Sequence, residues 1–324
     1  MTRLKRLAIA LLIAVLVPSV GFRLAAELRE TKSIADIRPD DGLMVSTDMG
    51  AVHVLQDGPD TGTPLLLAHG TAAWSGLWRD TMTALASEGY RVIAFDMPPF
   101  GFSERDPDGD YDRDTQARRI LALTDAMQVK PILIAHSFGA APAAEAVMMD
   151  QDAFAGFVMV AGAVGLNSHR KAKELPVLLR PGWLRQMIVS VTGTNPLLTK
   201  TLLAQLLYVK DAATDDAVEV LQRPMVLSGS TAAFADWVPS LLVPPTDARS
   251  TRSANYQILT LPTQLIWGDK DTVTPPEQAL ALADLIGQGP AHLLTDVGHI
   301  PQIEAPGAFQ ALLFSVLSDM KAEP

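Results

Sequence analysis

The chain has no cysteine. Disulfides, thiol nucleophiles and cysteine-ligated zinc or iron–sulfur centres are therefore excluded. The compartment stays open, because a protein without thiols is indifferent to redox. Positive charge is scarce too: 26 Lys and Arg stand against 36 Asp and Glu, a net charge of −10. Beyond the first residues there is no basic patch, so nucleic acid is a poor partner. No internal repeat is evident. No pair among the six histidines has metal-ligand spacing, and neither a metal nor another cofactor is expected. What the chain does have is apolar content, 48% of 324 residues, enough for one large domain or one domain with an insert.

The N-terminus stands apart. Arg3, Lys5 and Arg6 precede the uninterrupted apolar run Leu7–Val17, which Pro18–Phe22 extends. A basic start before an apolar run is a secretory signal or a signal anchor. Ala25-Ala26-Glu27 lies behind Arg23 and makes a poor cleavage site, so an uncleaved anchor over residues 1–26 is the favoured reading. A cleaved signal and a buried core helix are the alternatives. The run is short against the ~20 apolar residues of a full span. Cations ahead of it predict a cytoplasmic N-terminus and a body on the far side of a membrane. Cleavage would instead release a secreted or periplasmic protein.

Beyond a polar stalk at 27–42, short apolar runs alternate with amphipathic ones. Leu43–Leu55 around Asp48-Met49-Gly50 suggests a hairpin; Pro64–Ala68, Tyr90–Phe95, Ile132–Ala135, Phe157–Ala161, Gln264–Trp267 and Ala291–Leu294 read as strands. Trp78–Ser87 and Thr115–Met127 read as helices. Apolar strands alternating with helices predict an α/β fold with a mostly parallel, doubly wound sheet, its core spanning 43–166 and 257–324. Residues 167–256 break the pattern with helix-like pieces, among them Leu197–Lys210 behind Asn195-Pro196 and Ala217–Leu221 behind Thr214-Asp215-Asp216. Loops that long are uncommon, so this stretch is expected to be an inserted helical cap.

The chemistry-bearing feature is Ala135-His136-Ser137-Phe138-Gly139, set between the apolar run Pro131–Ile134 and the helix-like Ala140–Ala146. Strand, tight turn and helix is the context of a nucleophile elbow, whose geometry demands small residues two before and two after the serine. Ala135 takes the first of those places, where glycine is commoner. A serine hydroxyl needs an adjacent base, and the base needs an orienting acid. Downstream, Gly268-Asp269-Lys270-Asp271 and Asp296-Val297-Gly298-His299 both follow predicted strands, at the sheet end where α/β folds place their sites. Asp269 and Asp271 both qualify as the acid on position alone.

With these motifs in order, the chain resembles the α/β-hydrolase fold family, in its capped esterase, lipase and carbon–carbon hydrolase branch. His69-Gly70 resembles the oxyanion segment, Asp96–Ser103 the D-x-P-x-x-G-x-S turn, Trp267–Asp271 the W-G-x-x-D motif and Gly298–Glu304 the G-H-x-P-x-x-E motif. The resemblance runs from about Leu43 to Leu317. It implies Ser137 as nucleophile, His299 as general base and acid, and Asp271 as orienting carboxylate. Asp296 is expected to be a loop acid, and Asp96 to shape its turn. The implied oxyanion donors are the N–H groups of Phe138 and Thr71, with Ala72 as second choice. His69 is expected to support its loop and His136 to pack behind the elbow. His53 and His292 sit in strand-like runs, and His169 is expected to be exposed at the start of the cap. Trp74 and Phe100 are candidate pocket residues, with Trp78, Phe138, Trp183, Phe234 and Trp237 as further aromatic candidates.

A serine at the elbow argues against haloalkane dehalogenase and epoxide hydrolase activities, whose relatives carry aspartate there. The expected function is hydrolysis of a carboxylic ester, or a related acyl bond, of a small or medium apolar substrate. Carbon–carbon bond hydrolysis of ring-cleavage products is the enzymatic alternative. A non-catalytic binding protein on the same fold is the other alternative. The expected partner is a small molecule, with the membrane reached through the N-terminal segment.

Overall fold

The computed structural model describes residues 3–168, 174–243 and 245–322; His169 lies outside them. Eight strands form one sheet: β1 Gly42–Thr47, β2 Gly50–Asp57, β3 Pro64–Ala68, β4 Arg91–Phe95, β5 Ile132–His136, β6 Gly156–Val160, β7 Thr263–Gly268 and β8 His292–Leu294. Their spatial order is β1-β2-β4-β3-β5-β6-β7-β8. β1 and β2 form the expected hairpin, β2 pairs antiparallel with β4, and every later pairing is parallel. The sheet is thus mostly parallel, as the apolar strands predicted.

Longer helices accompany it. In chain order they are α1 Arg3–Arg29, α2 Arg79–Ser87, α3 Arg113–Met127, α4 Ala140–Met149, α5 Gly182–Val191, α6 Thr199–Leu206, α7 Asp215–Gln222, α8 Ser230–Leu242, α9 Pro276–Ile286 and α10 Pro306–Ala322. Alternation along the strands splits the core in two. Leu66 and Leu133 face the layer holding α3, α4 and α9, while Leu65, Leu67 and Ile134 face the layer holding α2 and α10. β5 is buried at all five positions, as a central parallel strand must be. Each fully buried Leu or Ile contributes roughly 1.5–3 kcal/mol. Caps mark the helix starts: Asp112 accepts the Thr115 N–H ahead of α3 at 2.7 Å, and Thr214 accepts the Ala217 N–H ahead of α7 at 3.2 Å.

Between β6 and β7 the described residues form α5 to α8 and short turns, with no strand. These helices make the cap. A small third cluster, including Ala73, Leu203, Leu207, Leu221 and Ile300, joins it to the core loops. The segment after α1, read from sequence as a stalk, lies against the cap. The Lys32 N–H donates to Val226 O at 3.1 Å, the Ser228 N–H donates to Lys32 O at 2.9 Å, and Glu30 accepts the Thr231 N–H at 3.0 Å. α1 itself packs along α5. Among the described residues, no helix is long and apolar enough to cross a membrane.

Candidate active site

The elbow forms where β5 meets α4. Ser137 has φ +53, in the left-handed region that a non-glycine residue rarely occupies. Gly139 makes the turn possible: a Cβ there would collide with the His69 carbonyl oxygen. At Gly70 a Cβ would lie 3.0 Å from the Ser137 Cβ, so both small residues are set by close approach of backbone to elbow.

Three chain-distant side chains meet at the C-terminal ends of β5, β7 and β8. Ser137 Oγ lies 2.7 Å from His299 Nε2, and His299 Nδ1 lies 2.8 Å from Asp271 Oδ2. All three are buried, Ser137 being 7% exposed. Asp271 is richly held. Its Oδ1 accepts the N–H groups of Val273 and Thr274 at 2.8 and 2.9 Å, and the Thr274 hydroxyl donates to Oδ2 at 2.7 Å. Burial pushes this carboxyl up, but the bonds from His299 and Thr274 and the field of the imidazole outweigh burial and hold it below its ordinary value. An ionised Asp271 therefore faces the Nδ1 side of His299. Asp269 points elsewhere: it accepts the Asp296 N–H at 2.7 Å and pairs with Lys270 at 2.7 Å.

The other histidines brace the site. His136 Nε2–H donates to the His299 carbonyl oxygen at 2.8 Å. Desolvation, reinforced by the neighbouring His299, pushes the His136 pKa down to about 3, so the ring is neutral. His69 accepts the Met97 N–H at Nε2 (2.9 Å) and donates from Nδ1 to Gly70 O at 2.8 Å. Burial lowers its pKa as well. Asp96 accepts the Ser75 and Phe102 N–H groups, both at 2.7 Å, and pairs with the buried His53 at 2.7 Å. His292 meets Gln264 at 3.1 Å. The supporting roles expected for Asp96 and His69 agree with these contacts.

Opposite the elbow, Ala72 has φ +56 in the turn that follows β3, and the Ala73 N–H closes that turn onto Gly70 O at 3.4 Å. Gly70, at the start of that turn, is the residue whose Cβ would meet Ser137, so the turn lies against the elbow. Phe138 packs on Trp237 of α8 with ring centres 4.8 Å apart, and Phe100 packs on Trp237 and Phe234 at 5.0 and 5.2 Å. Beside this cluster lies a cavity of about 30 Å³, with Ala72, Phe100, Phe234, Thr194, Ser230 and Arg105 in its wall. That is room for a water molecule or two. The cap is closed. Three aromatic candidates lie away from this cavity. Trp74 is buried, packs on Phe102 at 5.1 Å and donates to Val220 O, so it ties the core to the cap. Trp78 is in the core beneath the sheet, and Trp183 is 62% exposed.

Three contributors escaped the sequence. Thr274 follows Asp271 by three residues, an i to i+3 hydroxyl and N–H pattern that could have been read as support for Asp271. Glu304, quoted only as a motif letter, accepts four backbone N–H groups: Gly298, Tyr208 and Val209 at Oε2 and Ile300 at Oε1, at 2.8–3.0 Å. It holds the peptides on either side of His299 and the cap segment after α6 at once. Arg105, which bonds to Ser228 O and Ser230 Oγ across the core–cap boundary, carries no sequence signal.

A mostly parallel eight-stranded sheet, an elbow after its central strand and a helical insert before β7 define a capped α/β hydrolase fold. Residues 63–306 match the alpha/beta hydrolase fold family, and the chain belongs to it. It is 27% identical over 268 residues to the 2-hydroxymuconate semialdehyde hydrolase of Pseudomonas sp. (strain CF600), covering 81% of this chain and 89% of that protein. It is 28% identical over 263 residues to Lipase 3 of Moraxella sp. (strain TA144), covering 76% and 74% respectively. The crystal structure of a meta-cleavage product hydrolase from Pseudomonas fluorescens IP01 superposes with a TM-score of 0.69 at 23% identity, covering 86% of this chain and 98% of that one. The last likeness shows the fold.

Proposed function

We propose that the chain is a serine hydrolase that cleaves a carboxylic ester of a small or medium apolar substrate through an acyl-enzyme. The observation that carries this reading is the unbroken Ser137–His299–Asp271 contact at 2.7 and 2.8 Å. Ser137 Oγ attacks the acyl carbon as its proton passes to His299 Nε2. Asp271 keeps the proton on Nδ1 and stabilises the imidazolium. The N–H of Phe138, with that of Thr71 or Ala72, receives the developing oxyanion. The leaving alcohol takes the proton from His299, and a water activated by the same ring releases the acid.

Carbon–carbon bond hydrolysis is the second reading. Two of the similar proteins bear such names, and Arg105 in the cavity wall supplies a cation for a dienoate carboxylate. We place the protein on a membrane, anchored by the N-terminal segment, with its hydrolase body on the extracytoplasmic side. Labelling with a fluorophosphonate tests the chemistry. One adduct is expected on the wild type and none on Ser137→Ala; an unlabelled, folded wild type overturns the reading. Comparing aryl esters with a ring-cleavage dienoate on the same preparation separates the two bond types.

A further inference from the structure

Exposed large apolar side chains occur around the molecule, and one set of them falls at one end of the layer formed by α1, α5 and α8. α1 runs parallel to α5, because Arg23 Nη2 donates to Gln186 Oε1 at 3.0 Å and Arg29 Nη2 donates to Thr194 O at 2.8 Å. α8 runs antiparallel to α5, because Arg185 Nε donates to Ala235 O at 2.7 Å and the hydroxyls of Thr194 and Thr231 meet at 2.7 Å. At one end of this layer, polar bonds close the structure: Glu30 grips Thr231. Running the register the other way brings α1 residues before Arg23, the start of α5 and the end of α8 to one level. At that level lie Val17 and Val20 from α1, Trp183 from α5 and Leu241 and Leu242 from α8, all exposed. Val177 and Leu178, on the turn leading into α5, are 71% and 72% exposed. Single exposed apolar residues are ordinary, but a gathered set marks an interaction surface.

We propose that this end of the cap is a lipid-contacting collar around the point where α1 enters the membrane, with Val177, Leu178, Trp183, Leu241 and Leu242 resting at the boundary of headgroups and acyl chains. The proposal rests on the membrane-anchored reading above. The collar is continuous with α1 at the end leading back to Leu7–Val17 and to Arg3, Lys5 and Arg6, whose charges complement anionic lipid. The run Leu7–Val17 rises only about 16 Å, half of a hydrocarbon core of ~30 Å. Val17, Val20 and the collar supply the missing apolar contact. A tryptophan at this level suits the interface, where its ring meets acyl chains and its N–H meets water.

The five tryptophans make the test direct, since Trp74, Trp78, Trp237 and Trp267 are 1% exposed or less and Trp183 is 62% exposed. The full chain is reconstituted into vesicles of phosphatidylcholine and phosphatidylglycerol, plain or dibrominated high on the acyl chains. Trp183 emission is taken as the difference between wild type and Trp183→Phe, and flotation is measured on the same samples. Flotation with loss of most Trp183 emission in brominated vesicles is the expected result. Flotation with Trp183 unquenched overturns the collar and leaves the anchor standing. Unquenched Trp183 with cross-links between copies at Trp183→Cys assigns the face to a second copy of the chain and also overturns it. Failure to float overturns both the collar and the anchor, without touching the hydrolase reading.

Discussion

At the scale of single residues, the site turns on which carboxylate meets His299. Two aspartates lie two positions apart on one loop, and sequence spacing treats them alike. The backbone separates them: Asp271 folds back to accept the N–H groups of Val273 and Thr274, which aims Oδ2 at Nδ1, while Asp269 is turned to Asp296 and Lys270. Replacing Asp271 by Asn keeps the shape but loses the acceptor that fixes the tautomer. A fall in kcat of about 10⁴ is expected, the magnitude known for the same change in serine proteases. Asp269→Asn leaves kcat near wild type. Steady-state hydrolysis of an aryl ester by both variants checks this, and a larger loss in Asp269→Asn would reverse the assignment.

Among the elements, the informative contact is Glu304, in the turn Pro301–Glu304 ahead of α10. Its carboxylate joins the His299 loop to the cap through four backbone N–H groups. Removing it strands several buried donors, each costing about 1–3 kcal/mol. Glu304→Ala is expected to lower stability to chemical denaturation by at least about 3 kcal/mol and to reduce kcat more than it raises KM, because the peptides on both sides of His299 lose their anchor. Glu304→Gln, which keeps one acceptor oxygen, falls between. A Glu304→Ala protein as stable as wild type would show that the loop holds itself. The element pattern was largely legible, because buried parallel strands read as apolar runs and the elbow demands small residues. Helix limits in the cap were less so. Leu197–Lys210 was expected as one helix, whereas α6 covers only Thr199–Leu206, with a separate short turn at Lys210–Ala212. Leu207, extended at φ −93 and ψ 146, ends the helix and is buried with Leu203 in the small cluster between core and cap.

For the whole molecule, buried titrating groups set acid stability. His136 is held neutral, its pKa taken from the ordinary 6.5 to about 3 by desolvation. Between those values the unfolded chain binds a proton that the folded chain does not, so stability rises with pH across that window. Asp96 and Asp271 act in the same direction below their ordinary 3.8, since both are held low when folded and their contribution is lost as pH falls through the folded values. The His136 share is on the order of a few kcal/mol. Melting temperature should therefore fall steadily as pH drops from about 6.5. His136→Asn should flatten the upper part of that fall. An unchanged slope in the variant would assign the acid response to other groups.

Residue order along the chain determined the family, the mostly parallel sheet, the inserted cap and the residue types brought to the strand ends, because periodicity, turn chemistry and motif spacing are local properties. Tertiary structure alone decided which loop acid faces His299, that Glu304 binds the histidine loop to the cap, that Trp74 bonds across to the cap at Val220, and that the residues after α1 lie along the cap. Each of those depends on the distance between groups far apart in the chain, and that distance is set by how the layers pack.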